Sequence, residues 1–137
     1  MTETIFLLRL VLAAILGAII GFEREKAHRP AGLRTHIIVC VSACLVTMIG
    51  LNSKDSDPMR IAANVLTGIG FIGAGTIIAS SGSVKGVTTA ASIFSVAGIG
   101  IAVAAGFYLI AIFTTILIFV VLWLRKIEKR DNSFLWD

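Results

Sequence analysis

Acidic residues, histidine, cysteine and proline are all scarce in this chain. Asp and Glu make up 8 of 137 residues, and none of them lies between Asp57 and Glu128. With two histidines, no P-loop and no pair of buried carboxylates, the sequence offers no catalytic set. We therefore predict no enzyme activity, no catalytic residue, no metal and no cofactor. Cys40 and Cys44 stand four residues apart in an apolar block, where they are poorly placed to form a disulfide.

Long apolar blocks fill most of the remaining sequence. The chain is 57% hydrophobic and 15% charged, and its mean hydropathy is +0.96. A helix needs about 20 apolar residues to cross a hydrocarbon core of about 30 Å. The blocks run continuously, whereas the strands of a barrel would alternate. The N-terminal segment lacks a basic region and a cleavage site, so we expect no removable signal peptide. The composition predicts an all-α, multi-pass membrane protein.

Breaks and helix-start signals divide the apolar sequence into five predicted spans. Pro30 and Gly32 interrupt the first charged loop, and Asp57 is placed to cap a helix that has Pro58 at its first position. We expect a transmembrane domain at residues 1–124 and a short basic cytoplasmic tail at 125–137. The predicted spans are residues 5–21, 37–51, 59–79, 86–104 and 107–124.

Basic residues lie mostly on one side of the predicted membrane. The first loop, the third loop and the tail carry nine Lys and Arg residues, against three on the other side. The positive-inside rule then places the N-terminus outside and the C-terminus in the cytoplasm. The net charge of +4 belongs to segments that set topology and meet the headgroups of the lipid bilayer. It is not a nucleic-acid signature, and we expect no nucleic-acid partner.

A glycine-rich segment, residues 68–75, lies in the third predicted span. Gly68, Gly70 and Gly73 spell GxGxxG, but a dinucleotide site needs a preceding strand and an acidic residue about 20 positions on. The flanking sequence provides neither. We interpret the segment as a surface for close helix packing, and the alternative is a locally unwound helix whose carbonyl groups line a polar cavity. The helix-packing candidates are Gly17, Gly21, Gly68, Gly70, Gly73 and Gly75.

An offset of 54 residues aligns the first two spans with the next two. It superposes Gly21 on Gly75 and Gly32 on Gly86. This pattern suggests two parallel helical hairpins with a fifth helix added, although apolar sequence of low complexity also produces such matches by chance.

Two motifs resemble a known family. GFERE…AGLRTH in residues 21–36 and DPMRIAANVLTGIGFIGAGTII…GSVKGVTTAASIF in residues 57–94 are similar to the MgtC/SapB membrane proteins in order and spacing. The resemblance implies a bacterial inner-membrane protein linked to adaptation to low magnesium and, in pathogens, to virulence through intracellular survival. It does not imply that the protein itself moves magnesium. Longer members add a cytoplasmic ACT-like domain after the last span, and the present chain stops at Asp137.

Polar side chains in two regions are candidate functional positions. Asn64 is the least apolar side chain deep in the third span and shares a helix face with Thr67. In hydrocarbon its amide needs a protein partner or a water-filled pocket. Charged residues beside the first loop suit a gate or docking site, or a hard-cation site at Glu23 and Glu25, against the simpler role of setting topology. The candidates are Asn64, Thr67, Glu23, Arg24, Glu25, Arg34, Asp57 and Arg60.

His36, Cys40 and Cys44 recur every four residues and therefore share one face of a helix. Such a set could hold a soft metal. A buried cysteine more often behaves as a small hydrophobic residue, so we assign the trio to core packing and predict no metal there.

The favoured hypothesis is a non-enzymatic membrane factor that binds or regulates another membrane protein complex. We also expect a homo-oligomer, because the small-residue ladder Ala13, Gly17 and Gly21 has no assigned partner within the chain. One alternative is a transporter or channel for a cation or small solute, with a polar path near Asn64 and the glycine run. The other is a structural module that anchors a partner through the tail, residues 125–137.

Overall fold

The computed structural model folds the chain into five helices and one short hairpin. It describes residues 3–54, 57–80 and 83–131, with the backbone alone for residues 78–80, 83 and 125–131. The order is α1 (Glu3–Lys26), α2 (Leu33–Leu51), α3 (Pro58–Ala74), β1 (Ile78–Ser80), β2 (Ser83–Lys85), α4 (Val87–Ala104) and α5 (Tyr108–Asp131).

The predicted helical class is confirmed. By length and composition, α1, α2 and α4 are suited to cross a membrane, and α5 contains a shorter apolar stretch, Tyr108–Leu124. Membrane crossing by α3 and α5, and the side on which each terminus lies, stay predictions. Residues 132–137 of the predicted tail lie outside the described residues.

The core of the bundle lies between α1, α2 and α4. Ile20 of α1, Cys40 of α2, and Ile93 and Val103 of α4 are fully buried there. Lipid tails are as apolar as these side chains, so within a bilayer the association of the helices depends on close van der Waals packing.

Glycines allow α1 and α4 to approach α2 from two sides. A Cβ at Gly17 would lie 2.8 Å from the carbonyl oxygen of His36, and one at Gly21 would lie 2.8 Å from the Cα of Leu33. On α4, a Cβ at Gly100 would overlap the carbonyl oxygen of Cys40 on α2. The small-residue ladder of α1 therefore has its partner within the chain. The ladder is thus no longer a reason to expect a second copy, and the homo-oligomer itself stays a prediction.

α3 begins where the sequence predicts and ends early. Asp57 Oδ1 accepts a hydrogen bond of 2.9 Å from the Met59 N–H, and proline occupies the first helical position. The helix stops at Ala74 and not near residue 79. Glycine is a poor helix former, and the Thr76 hydroxyl donates to the Gly73 carbonyl at 2.7 Å, which closes the last turn. β1 and β2 then pair antiparallel, across the predicted end of the third span and the break that follows it.

α1 runs past the predicted end of its span, at residue 21, to Lys26. Its end is fixed by a bond of 3.0 Å from the Arg29 N–H to the Arg24 carbonyl, the closure found in a Schellman motif. His28 takes the left-handed conformation, with φ of 51°. Because this turn is closed by backbone bonds, Arg24 is held on the last helical turn and faces the bundle.

α2 and α4 correspond under the 54-residue offset at their first residues, Leu33 and Val87. Each follows a glycine at the N-cap, Gly32 or Gly86. The connections before them differ, because β1 and β2 join α3 to α4 whereas a turn joins α1 to α2.

We predict that Gly100→Ala destabilises the bundle by about 1–3 kcal/mol, because the added methyl group overlaps backbone in a packed core. Thermal unfolding of the purified protein in mild detergent measures the effect. Gly98→Ala on the same helix is the matched control, since no atom lies within 4 Å of a Cβ there. The control should gain up to about 1 kcal/mol from helix propensity. Equal melting temperatures for the two variants would contradict the close approach of α4 to α2.

Candidate functional site

A buried polar cluster lies at the α1–α2 loop end of the bundle, where α1 ends and α2 and α4 begin. Arg24 is only 1% exposed and His36 is fully buried. Gly21 brings α2 against α1 beside them, which leaves no room for water between the helices at that contact. The members of the buried polar cluster are Glu23, Arg24, His36, Thr89 and Ser92.

Arg24 forms an ion pair with its neighbour Glu23. Arg24 Nη2 lies 2.5 Å from Glu23 Oε2, and Arg24 Nε donates to the same oxygen. The remaining nitrogen, Nη1, is buried without an acceptor among the described residues. Breaking a buried pair by removing one partner costs about 3–5 kcal/mol, because it leaves an uncompensated charge. Glu23 and Arg24 therefore act as a unit.

His36 joins the first turns of α2 and α4. Its Nδ1 lies 2.8 Å from the Gly32 carbonyl oxygen, and its Nε2 lies 3.0 Å from Ser92 Oγ. The Ser92 hydroxyl also lies 2.8 Å from the Thr89 carbonyl oxygen. A carbonyl only accepts, so this geometry places a hydrogen on Nδ1.

The Ser92 hydroxyl then has two arrangements open to it. It donates to Nε2 when the His36 ring is neutral, or it donates to the Thr89 carbonyl and accepts from Nε2–H when the ring is charged. Rotation of one hydroxyl group thus satisfies both ionisation states of His36.

Glu25 and Arg34 lie at the rim of the buried polar cluster. Glu25 Oε2 accepts a bond of 2.8 Å from the Leu33 N–H and thereby caps α2, while Arg34 is exposed. Glu23 and Glu25 are engaged with different partners. No group of three or more His, Cys, Asp or Glu side chains suited to a metal occurs in the described part of the chain. The geometry of these residues gives the hard-cation alternative no support.

The positions of His36, Cys40 and Cys44 do not fit a soft-metal site. Cys40 and Cys44 are buried and free in the core, while the His36 ring nitrogens face the Gly32 carbonyl and the Ser92 hydroxyl.

Asn64 and Thr67 lie on an open face of α3, defined as the exposed residues Asn64, Thr67, Gly68, Gly70 and Phe71. Thr67 Oγ1 donates to the Ala63 carbonyl at 2.8 Å on its own helix. The Asn64 amide forms no hydrogen bond with any described residue. A Cβ at Gly68 or Gly70 would meet nothing within 4 Å, and Phe71 is 84% exposed.

The other predicted positions on α3 are separated from this open face. Asp57 and Arg60 are exposed in the first turn. Gly73 faces α4, where a Cβ would lie 3.5 Å from that of Ala90, and Gly75 follows the end of the helix. The structure thus places the predicted polar residues in two separate regions, one inside the bundle and one on its surface.

Arg9 has contacts that sequence reasoning missed. Its Nη1 donates to the Ala104 carbonyl at 2.6 Å and its Nε donates to the Tyr108 hydroxyl at 2.8 Å. Arg9 therefore ties α1 to the turn between α4 and α5. A cation near carbonyls at the end of a helix is also favoured by the helix dipole. The sequence signal is only a charge near the start of an apolar block, which does not identify partners 95 and 99 residues away.

These features define a class of protein: a helical membrane protein with a polar network enclosed between its spans. The chain belongs to the MgtC family, whose model matches residues 10–130. It is 42% identical to "Protein SapB" of Bacillus subtilis over 112 residues, 74% of this chain and 48% of the relative. It is 39% identical to "Putative magnesium transporter YhiD" of Escherichia coli over 126 residues, 85% of this chain and 59% of the relative.

A third relative is "Protein MgtC" of Salmonella typhimurium, 38% identical over 129 residues, 93% of this chain and 56% of the relative. The chain thus spans about half the length of the curated relatives it matches. No solved structure matches it.

We predict that Ser92→Ala lowers the stability of the bundle by about 1–3 kcal/mol, because it leaves His36 Nε2 buried without its partner. Thermal unfolding in mild detergent provides the measurement. Ser95→Ala is the matched control on the same helix, because the Ser95 hydroxyl bonds only the Ala91 carbonyl of its own helix. The control should change stability by less than about 0.5 kcal/mol. A Ser92→Ala variant as stable as the control would show that the His36–Ser92 bond contributes nothing.

Proposed function

We propose that this chain is a non-enzymatic, multi-pass protein of the bacterial inner membrane, linked to magnesium homeostasis, that acts by binding and regulating a membrane protein complex. Its N-terminus lies outside and its C-terminus in the cytoplasm. Membership of the MgtC family supports the link, because one relative carries the name magnesium transporter.

The observation that carries this proposal is the distribution of polar groups. Between α1, α2 and α4, polar side chains are concentrated at the α1–α2 loop end, where they are largely bonded to one another. Further along, the interior is filled mainly by apolar groups such as Cys40 and Ala97, and Thr47 is the buried polar side chain of α2 there. A conduit needs polar groups along its length. The described interior is thus packed like that of a scaffold. The Asn64 amide, which has no hydrogen-bond partner among the described residues, lies on the exposed surface, where a binding group would lie.

A transporter or channel for a cation or small solute is the second candidate. The observation in its favour is that Asn64, Thr67 and the glycines lie together on α3. Because these residues are exposed, they would line a path only if another chain supplied the opposite wall. Transport by this route therefore needs an assembly.

Reconstitution tests the two functions against each other. We expect proteoliposomes containing the purified chain to take up magnesium no faster than protein-free vesicles, as read by an entrapped magnesium-sensitive dye. Magnesium uptake that is lost in Asn64→Leu would overturn the regulatory proposal and support transport. Val11→Thr, on an exposed face of α1, is a control for a polarity change away from the proposed path.

Membranes from cells grown at limiting magnesium provide the positive test. The tagged chain should migrate in mild-detergent native gels within a complex that contains a second membrane protein, and Asn64→Leu should reduce that protein's recovery at least tenfold. If the chain is recovered without another protein from such membranes and vesicles show no flux, the regulatory proposal fails.

A further inference from the structure

Two arginine side chains at the end of α1 have buried nitrogen atoms without an acceptor. Arg24 is 1% exposed, and its Nη1 has no hydrogen-bond partner among the described residues. The same holds for Nε of Arg29, a residue that is itself half-buried. A buried polar group without a partner is unfavourable, and a charged group more so than a neutral one. An acceptor from outside the described chain would stabilise both nitrogens.

The two arginines belong to one turn. The Arg29 N–H donates to the Arg24 carbonyl at 3.0 Å, which closes the end of α1. α2 begins beside this turn, because a Cβ at Gly21 would lie 2.8 Å from the Cα of Leu33. Gly32 at its N-cap forms no side-chain cap bond, so the first turn of α2 adds the partial positive charge of a helix N-terminus. Two guanidinium groups and a helix N-terminus thus adjoin the same short turn.

The positive charge of this turn exceeds that of its carboxylates. Residues 21–36 contain four Arg and Lys residues and two Glu residues. Glu23 is paired with Arg24, and Glu25 caps α2. Arg29 forms no ion pair with any described residue. A water molecule would supply an acceptor but no charge, whereas an anion supplies both, and hydrogen bonds between ionised groups are the stronger ones.

Phosphate is the anion that suits this position best. The planar guanidinium group donates two parallel hydrogen bonds to two oxygens of a phosphate. The turn also lies at an end of the membrane bundle, where the headgroups of lipids lie. Beside it, Phe22 is 51% exposed and the Lys26 ammonium lies 4.3 Å from the centre of the Phe22 ring. Apolar and basic groups side by side are typical of the headgroup level, and basic pockets between membrane helices bind anionic lipids.

We infer that Arg24 and Arg29 bind a phosphate group, supplied by the headgroup of an anionic phospholipid. Arg29 is the outer residue of the two, since it is partly exposed and Arg24 is not. Its side chain turns aside to admit a phosphate oxygen to Arg24 Nη1, which is buried. Glu23 holds the Arg24 guanidinium through Nε and Nη2 and leaves Nη1 to the phosphate.

Displacement of a fluorescent lipid tests this inference. The purified full chain is kept in a neutral detergent with phosphatidylglycerol that carries a fluorophore on one acyl chain, and fluorescence anisotropy measures binding. We expect unlabelled phosphatidylglycerol to displace this probe at a concentration at least tenfold below that of phosphatidylcholine with the same acyl chains. The reason is that the choline group cancels the charge of the phosphate.

Two variants separate the site from general attraction to basic residues. Arg29→Gln and Arg34→Gln each remove one positive charge from the same loop, and Arg34 is exposed. We expect Arg29→Gln to weaken the binding of phosphatidylglycerol at least tenfold and Arg34→Gln less than threefold. Nε of Arg29 has no partner to lose, so the melting temperature without added lipid should equal that of the wild type. Arg24 is left in place, because its substitution would break the buried ion pair with Glu23.

The remaining outcomes decide between sources of the acceptor. Equal losses of affinity in the two variants, or equal displacement by the two lipids, would overturn the inference. Sodium phosphate that displaces the probe at a lower concentration than phosphatidylglycerol, while sodium chloride of equal ionic strength does not, would support the phosphate site with a free ion as its source. Binding of neither lipid nor phosphate would leave Arg24 Nη1 to water and refute the site. These measurements need neither magnesium nor a second protein, so their outcome is separate from that of the proposed function.

Discussion

The close approach of α1 and α4 to α2 is the constraint on which the other features of the bundle depend. Gly17 and Gly21 place α1 against the backbone of α2, and Gly100 does the same for α4. In a bilayer, transfer of apolar groups out of water does not hold helices together, so such contacts carry the association. A methyl group at any of these points would separate backbones that now touch.

The buried polar cluster is a consequence of this closeness. His36 Nε2 lies 3.0 Å from Ser92 Oγ because α2 and α4 pack closely. Small residues, glycine and alanine, lie at the contact between the two helices in the turns that follow. In turn, an enclosed network excludes water, which makes each of its hydrogen bonds costly to lose. Packing and polarity at this end are therefore coupled: the glycines allow the network, and the network fixes the relative register of α2 and α4.

The features that could be predicted are those that depend on residues close together in the sequence. Asp57 and Pro58 indicate the start of α3, and the apolar blocks indicate five helices. The early end of α3 and the hairpin after it were not predicted, because a glycine run reads equally well as a packed helix and as a break. The His36–Ser92 and Arg9–Ala104 bonds join residues 56 and 95 positions apart. No periodicity within one helix contains that information.

Glycine has a different environment on different helices of the bundle. Gly17 and Gly21 on α1 and Gly100 on α4 are in contact with α2, so these three glycines already serve packing within the chain. On α3, no described residue lies within 4 Å of a Cβ at Gly68 or Gly70, although these glycines belong to the longest glycine-rich run in the sequence. Glycine lowers helix stability, and an exposed helix gains nothing in return unless another backbone comes near. Asn64 lies on the same side, and its amide has no hydrogen-bond partner among the residues that the structure describes. Among the described residues, this face of α3 therefore combines two unfavourable terms, the low helix propensity of exposed glycines and an amide without a hydrogen-bond partner.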